Sequence, residues 1–311
     1  MSSPTPEYIN LTDGFARSRL ANVKSQGALL VIVGETASGK SALGMDLAAQ
    51  FGGEIVCADS RTIYRGMDIG TAKPSKVDQE KIRHHLLDVV LPGKKFTVSD
   101  FKSLAEAAIS DIQSRGRLPI VVGGSGLYVD ALIYDFKFVP RPSSNRSEYE
   151  KLSIEELQFL ILKKGIEIPE NKLNKRYLIR ALETGGTRKS DKTLRQNTLL
   201  IGLKVEPEQL KERIAARVDA MLASGLEVEA KALSDHFTWE SEPMKSIGYR
   251  EFRPYFEGTQ TLEETRNLII QSTCQLAKKQ RTWFRRNNSI HWLDHPSNGV
   301  EIVTTFLNNI Q

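Results

Sequence analysis

Residues 29–50 read LLVIVGETASGKSALGMDLAAQ. Five apolar residues lead directly into Gly34, Glu35, Thr36, Ala37, Ser38, Gly39, Lys40 and Ser41, which satisfy G-x-x-x-x-G-K-S in full. A helical pattern follows, with Leu43, Leu47 and Ala48 on one face, and stops at Gly52-Gly53. Strand, glycine loop and helix in this order let backbone N–H groups turn inward around phosphate oxygens. The helix starting near Lys40 adds its free N–H groups and the positive end of its dipole. Lys40 supplies a point charge, and Ser41 a hydroxyl suited to Mg²⁺.

The rest of the chain is consistent with such a cradle. EIVCADS reads as a second strand ending in Asp59. TVSDFKSLAEAAISDIQSRGR opens with a serine or aspartate cap and runs as an amphipathic helix to Gly116. LPIVVGGSGLYVDAL is a third apolar strand broken by Gly123-Gly124, then a helix. LIGLKV and IHWLD return as strands, and EQLKERIAARVDAMLASG and LEETRNLIIQSTCQLAKKQRTWFRR are long helices. This alternation predicts an α/β fold, a doubly wound parallel sheet of the P-loop NTPase-like kind. From about residue 139 the character changes. A Pro/Ser/Arg linker, VPRPSSNRSEYE, precedes two segments of helical period. The expected organisation is a polar extension over 1–28, a catalytic core over 29–138 and 187–311, and a small all-helical insert over 139–186.

Composition narrows the class. The 311 residues are 40% hydrophobic and 26% charged, as in an ordinary soluble globular protein, and no apolar run approaches the roughly 18 residues of a membrane helix. The N-terminus is polar and lacks the apolar core of a secretory signal. Cys57 and Cys274 are too few for a disulfide scaffold or a four-ligand zinc site, which suits a cytoplasmic protein. Adjacent His84 and His85 point apart along the chain, an awkward arrangement for one shared ion. The net charge of +5 says little alone, but basic residues crowd the second half.

A nucleotide-hydrolysing P-loop protein usually carries an acid at the end of a second strand, near the metal. The apolar strand through Ile120 and Val122 ends instead in Gly123, Gly124 and Ser125. The acid stands on the neighbouring strand, as Asp59, where it could bind Mg²⁺, act as a base or cap the next turn. After it comes DSRTIYRGMDIGTAKP, a polar, glycine-rich segment read as a loop with a functional role.

GETASGKS, ADSRTIYRGMDIGTAKP, HHLLDV, VGGSGLY, RALE, SIGYRE and QLAKKQRTWFRR come in the order found in tRNA dimethylallyltransferases, and the chain resembles that family over roughly residues 29–294. The resemblance implies transfer of a dimethylallyl group from dimethylallyl diphosphate to the exocyclic amine of the adenosine 3′ of the anticodon, in tRNAs reading codons that begin with U. The cradle at Gly34–Ser41 would then hold a leaving diphosphate, with Mg²⁺ at Ser41. Asp59 matches the family's base, and Ser125 matches a Thr or Ser near the reacting centre. By the same resemblance, tRNA contacts fall on Asp59, Ser60, Arg61 and Thr62; on Arg176, Tyr177 and Arg180; on Lys245, Gly248, Tyr249 and Arg250; and on Lys278, Lys279, Gln280, Arg281, Trp283 and Arg285. The helical insert matches the family's lid on the anticodon stem–loop. The implied partners are tRNA and dimethylallyl diphosphate, with no membrane, and a monomer is expected.

Two departures from the family pattern stand out. Glu35 occupies a position where the family usually has Pro, and the insert is shorter than usual. An adenylate isopentenyltransferase acting on free AMP, ADP or ATP would need neither the lid nor the basic C-terminal helix. A small-molecule P-loop kinase, or a nucleic-acid-binding protein with an inactive P-loop, are further alternatives.

Overall fold

The structure is a computed structural model that describes residues 27–136, 146–186 and 193–310. The expected N-terminal extension over 1–28 lies almost wholly outside the described residues. The chain divides into two compact units, residues 1–133 with 195–311, and residues 134–194.

The first unit is built on one sheet of six strands: β1 Leu29–Gly34, β2 Glu54–Cys57, β3 His84–His85, β4 Pro119–Gly123, β5 Thr198–Leu203 and β6 Ile290–Leu293. Their order is β3-β2-β4-β1-β5-β6, and every pairing is parallel. All six residues of β1 are buried, as a strand covered on both faces requires. Helices α1 Lys40–Phe51, α2 Lys76–Lys81, α3 Val98–Ser114 and α4 Gly126–Ile133 follow β1, β2, β3 and β4 in turn. Because the strands are parallel, the segments that follow β1, β2 and β4 gather at one edge of the sheet. The cap of α3 is Thr97 and not the expected serine or aspartate: its hydroxyl accepts from the Asp100 N–H while the Asp100 carboxylate accepts from the Thr97 N–H.

The second unit contains α5 Arg146–Tyr149, α6 Ile154–Lys163 and α7 Lys175–Thr184 around a small core that includes Leu157, Ile161, Leu178 and Leu182. Back in the first unit come α8 Pro207–Ala223, α9 Leu226–Ser234, α10 Arg253–Phe256, α11 Leu262–Phe284 and α12 Asn298–Asn309.

Two cores hold the first unit. One packs α1 and α12 against the sheet through Leu30, Ile32, Leu47, Ile201 and Val303. The other gathers α8, α9 and α11 around Ile63, Tyr64, Met67, Tyr249 and Phe252. The segment after Asp59, read from sequence as a loop, is therefore irregular but buried. Ile63 and Met67 are at most 1% exposed, and each such burial is worth about 1.5–3 kcal/mol. The sixth strand, β3, escaped the sequence reading because two residues are too short to show a period. Its two histidines meet different partners. His84 Nδ1 lies 2.7 Å from the Ile82 carbonyl, and His85 Nε2 lies 2.7 Å from Glu54 Oε2.

Glu54 opens β2 with no exposed surface. Arg115 meets both its oxygens at 2.5 and 2.8 Å, and Arg117 adds a contact at 3.0 Å. The Arg115 hydrogen bonds lead in pulling its carboxyl from 4.5 to about 2, against the effect of burial, with His85 assisting. A folded pKa below the unfolded one stabilises the protein above pH 4.5, and that contribution is lost as pH falls toward 2. Glu54→Gln should cost about 3 kcal/mol near neutrality and flatten this acid limb. Thermal melts between pH 2 and 7 would show it, and an unchanged melting temperature at pH 7 would refute it.

Candidate functional site

The glycine loop bends tightly between β1 and α1. Ala37 and Gly39 both have positive φ, and the Ser38 N–H donates to the Glu35 carbonyl at 3.2 Å. Lys40 Nζ donates to the same carbonyl at 3.0 Å. Ser38 Oγ is buried and has no hydrogen-bond partner, so the cradle contains a polar atom that an oxyanion ligand would satisfy. Burial depresses the Lys40 ammonium from 10.5 to about 8, with Asp59 and Glu35 opposing the fall and Arg217 reinforcing it.

A cavity of about 560 Å³ opens beside the loop. Thr36, Asp59, Ser60, Arg61 and Ser125 line one part of it, and Lys245, Gly248, Arg250, Lys279, Gln280 and Trp283 another. Leu127, Ile214, Val218 and Leu276 give it apolar wall. Asp59 Oδ1 accepts from the Arg61 N–H at 2.8 Å, which orients its carboxyl. Ser125 Oγ accepts from the Ser60 N–H at 3.1 Å, which ties the end of β4 to the end of β2.

Helix α11, begun by a capping box at Thr261 and Glu264, brings its basic and aromatic end to this edge. The Thr36 N–H donates to Gln280 Oε1 at 2.8 Å, and Gln280 Nε2 donates to the Gly124 carbonyl at 3.0 Å. A Cβ on Gly124 would stand 2.3 Å from that amide nitrogen, so any larger residue would push the Gln280 amide aside. Trp283 Nε1 donates to Asp130 at 3.1 Å.

Four residues expected at ligand or tRNA contacts are paired or buried within the fold. The Glu35 side chain turns to Arg281. It is 6% exposed and forms a two-point ion pair with Arg281, the second contact at 3.0 Å. Arg281, expected at an RNA contact, is thereby paired with the glycine loop while part of its side chain stays exposed. Tyr249 has no exposed surface, and its hydroxyl donates to Glu229 at 2.7 Å, so it supports the wall instead of touching a ligand. Its phenol is pushed above the usual range by burial and by Glu229. Thr62 is also buried, with an unpartnered hydroxyl. By contrast Lys245, Arg250, Lys278, Lys279, Trp283 and Arg285 present exposed surface. In the second unit Arg176 and Tyr177 are exposed, and Arg180 lies 3.5 Å from Glu183.

Sequence reading missed Arg217, which lines the cavity with its Nη1 3.4 Å from Thr36 Oγ1. Burial lowers its pKa, and Asp59 opposes this. The available signal was an arginine inside the apolar stripe of α8, between Ile214 and Val218. Among the described residues no group of three His, Cys, Asp or Glu is arranged to hold a metal ion. The oxygens that a metal ion could use are the Ser41 hydroxyl in the first turn of α1 and the Asp59 carboxylate lining the cavity. That set suits Mg²⁺ bound mostly through ligand phosphates and water. Cys57, buried and pushed up to about 12, is chemically inert.

Two measurements follow from this geometry. Lys40 must be charged to hold an anion, so inorganic pyrophosphate affinity should be level below pH 7. Above pH 8 it should fall by up to about tenfold per unit. Calorimetry from pH 6.5 to 9.5 reads this, and a flat profile would contradict it. Arg281→Ala leaves a buried carboxylate beside the cradle and should weaken pyrophosphate binding, while adding Glu35→Gln should restore it. A double-mutant cycle should give a coupling of about 1–3 kcal/mol, and additive effects would sink the ion-pair argument.

The IPP transferase family model matches residues 62–287. A tRNA dimethylallyltransferase of Streptococcus thermophilus is 42% identical over 294 residues, which is 90% of this chain and 97% of that protein. The crystal structure of the full-length tRNA isopentenylpyrophosphate transferase from Bacillus halodurans is 35% identical with a TM-score of 0.71, covering 91% of this chain and 97% of that one. A eukaryotic dimethylallyltransferase acting on tRNA is 26% identical with a TM-score of 0.79, covering 91% and 80%.

Proposed function

The chain belongs to the IPP transferase family, and we propose from that premise that it transfers a dimethylallyl group from dimethylallyl diphosphate to tRNA. The acceptor is the N6 amine of the adenosine 3′ of the anticodon in tRNAs reading UNN codons, and the products are isopentenyladenosine and diphosphate. One observation carries the reading. The phosphate loop has no acid after β4, and the cavity beside it offers Asp59 together with an apolar wall. That is the equipment for displacing a diphosphate by an amine, not for moving a phosphoryl group.

In this reading the loop N–H groups, Lys40 and Arg217 hold the diphosphate, and the hydrocarbon lies along Leu127, Ile214, Val218 and Leu276. Ser41 would hold Mg²⁺, which when bound neutralises charge on the diphosphate oxygens. The adenine enters flipped from its stack. As the N6–carbon bond forms, the carbon–oxygen bond to the diphosphate breaks and its electron pair leaves with that oxygen. Asp59, oriented by the Arg61 N–H, takes the N6 proton. Ser125 accepts from Ser60 and keeps its own hydroxyl proton to donate to a substrate. Lys245, Arg250, Lys278, Lys279 and Arg285 supply cations for RNA phosphates, and Trp283 a stacking face. Arg176 and Tyr177 of the second unit fit the same partner, as does Arg180.

A free-nucleotide acceptor would leave those exposed cations without a role. Every residue invoked comes from one chain, so a monomer suffices. No helix among the described residues is long and apolar enough to cross a membrane, and the cytoplasm, where tRNA is met, is the proposed place of action.

Labelled dimethylallyl diphosphate offered with tRNA or with AMP decides the acceptor. Label should enter tRNA and disappear when the target adenosine is changed, whereas label in AMP alone would overturn the assignment. Asp59→Asn should lower kcat by about 10²–10⁴-fold with pyrophosphate affinity unaltered within threefold. Unchanged turnover would remove Asp59 as the base.

A further inference from the structure

Helix α9 carries a carboxylate with an unusual set of partners. Glu229 Oε2 accepts from the backbone N–H groups of Asp68 and Ile69, both at 2.9 Å. Glu229 Oε1 accepts from the N–H groups of Ile69 at 3.1 Å and Gly70 at 2.9 Å, and from the Tyr249 hydroxyl at 2.7 Å. Three successive N–H groups on one anion form a nest that irregular backbone needs, because no strand or helix pairs them here.

The segments so joined are two walls of the cavity. Gly70 and Thr71 line it on one side, and Gly248 and Arg250, flanking Tyr249, on another. The contact between them is close. A Cβ on Gly70 would stand 2.5 Å from Cζ of Tyr249, and one on Gly248 would stand 3.4 Å from the Gly70 carbonyl. Nearby Lys73 is already held by Asp68 at 2.5 Å and Asp88 at 2.6 Å, so it does not compete for Glu229.

We propose that Glu229 is a positioning residue for the RNA substrate: it fixes residues 68–70 against Tyr249, so that Gly70, Gly248 and Arg250 stand as a preformed wall for the incoming nucleotide. The inference rests on the proposed tRNA reading. It acts on the acceptor side only, since none of its partners belongs to the glycine loop.

Glu229→Gln keeps the shape but replaces an accepting oxygen with an NH₂ group, leaving at least one donor of the nest opposed by another donor. Activity is measured well below the variant's melting temperature. There kcat/KM for tRNA should fall about 10–100-fold, while pyrophosphate affinity stays within twofold. Amide exchange of residues 68–71 should quicken by at least tenfold in the variant. A kcat/KM within threefold of wild type, equal losses for tRNA and pyrophosphate, or unchanged exchange would each overturn the proposal. Should Glu229→Gln fail to fold, Tyr249→Phe removes only the hydroxyl contact. It should lower kcat/KM for tRNA about threefold to tenfold with pyrophosphate binding intact, and no loss would overturn the proposal. If the wild type does not modify tRNA at all, the tRNA reading fails, and the exchange experiment still decides whether Glu229 anchors this wall.

Discussion

Gln280 joins three pieces of backbone that no secondary structure connects. Its carbonyl oxygen takes the Thr36 N–H of the phosphate loop, and its amide serves the Gly124 carbonyl after β4. Both groups lie at the end of a parallel strand, where the ladder has stopped and backbone polar groups need other partners. A single side chain on a long helix therefore completes the sheet edge. The Glu35–Arg281 pair stands one residue further on and strengthens the same tie. The basic C-terminal end of α11 and the glycine loop are thus one construction. The cavity exists because these pieces meet.

The same logic explains the segment from Asp59 to Pro74. It is rich in glycine and polar residues, yet Ile63, Tyr64 and Met67 drive it into a core shared with α8, α9 and α11. Its irregular backbone is satisfied from outside by Glu229 and by Lys73, which donates to the Tyr64 carbonyl at 2.9 Å. Apolar anchors and two charged side chains hold a shape that hydrogen-bond ladders could not give. Reactive groups can then stand at fixed positions without a strand or helix beneath them. Asp59 benefits directly, since its turn is set by its own acceptance from Arg61.

Electrostatics divide the molecule by function. At the N-terminal end of β2, Glu54 is met by two arginines and a histidine ring nitrogen, and it serves stability. At the opposite end, cations gather without full compensation. Lys40 and Arg217 are both desolvated, and both lose proton affinity to burial. Such groups are poised to gain from an incoming polyanion.

Local order was legible in the chain itself. The run Leu29–Val33, the G-x-x-x-x-G-K-S loop and the helix behind it announce themselves through period, glycine placement and capping chemistry. So do the helical periods of α3 and α11, and the acid at the end of β2. Each depends on neighbours a few residues apart, and sequence spacing encodes that. What spacing cannot encode is which distant side chain meets which loop. Glu35 and Arg281 are 246 positions apart, and only the fold shows that they form an ion pair. Tyr249 sits in a motif that suggests contact, but packing against Gly70 buries it. Arg217 and Glu229 looked like ordinary charges on amphipathic helices. The tertiary structure gave them their roles, because burial and hydrogen-bond demand are set by what folds over a residue, not by what precedes it.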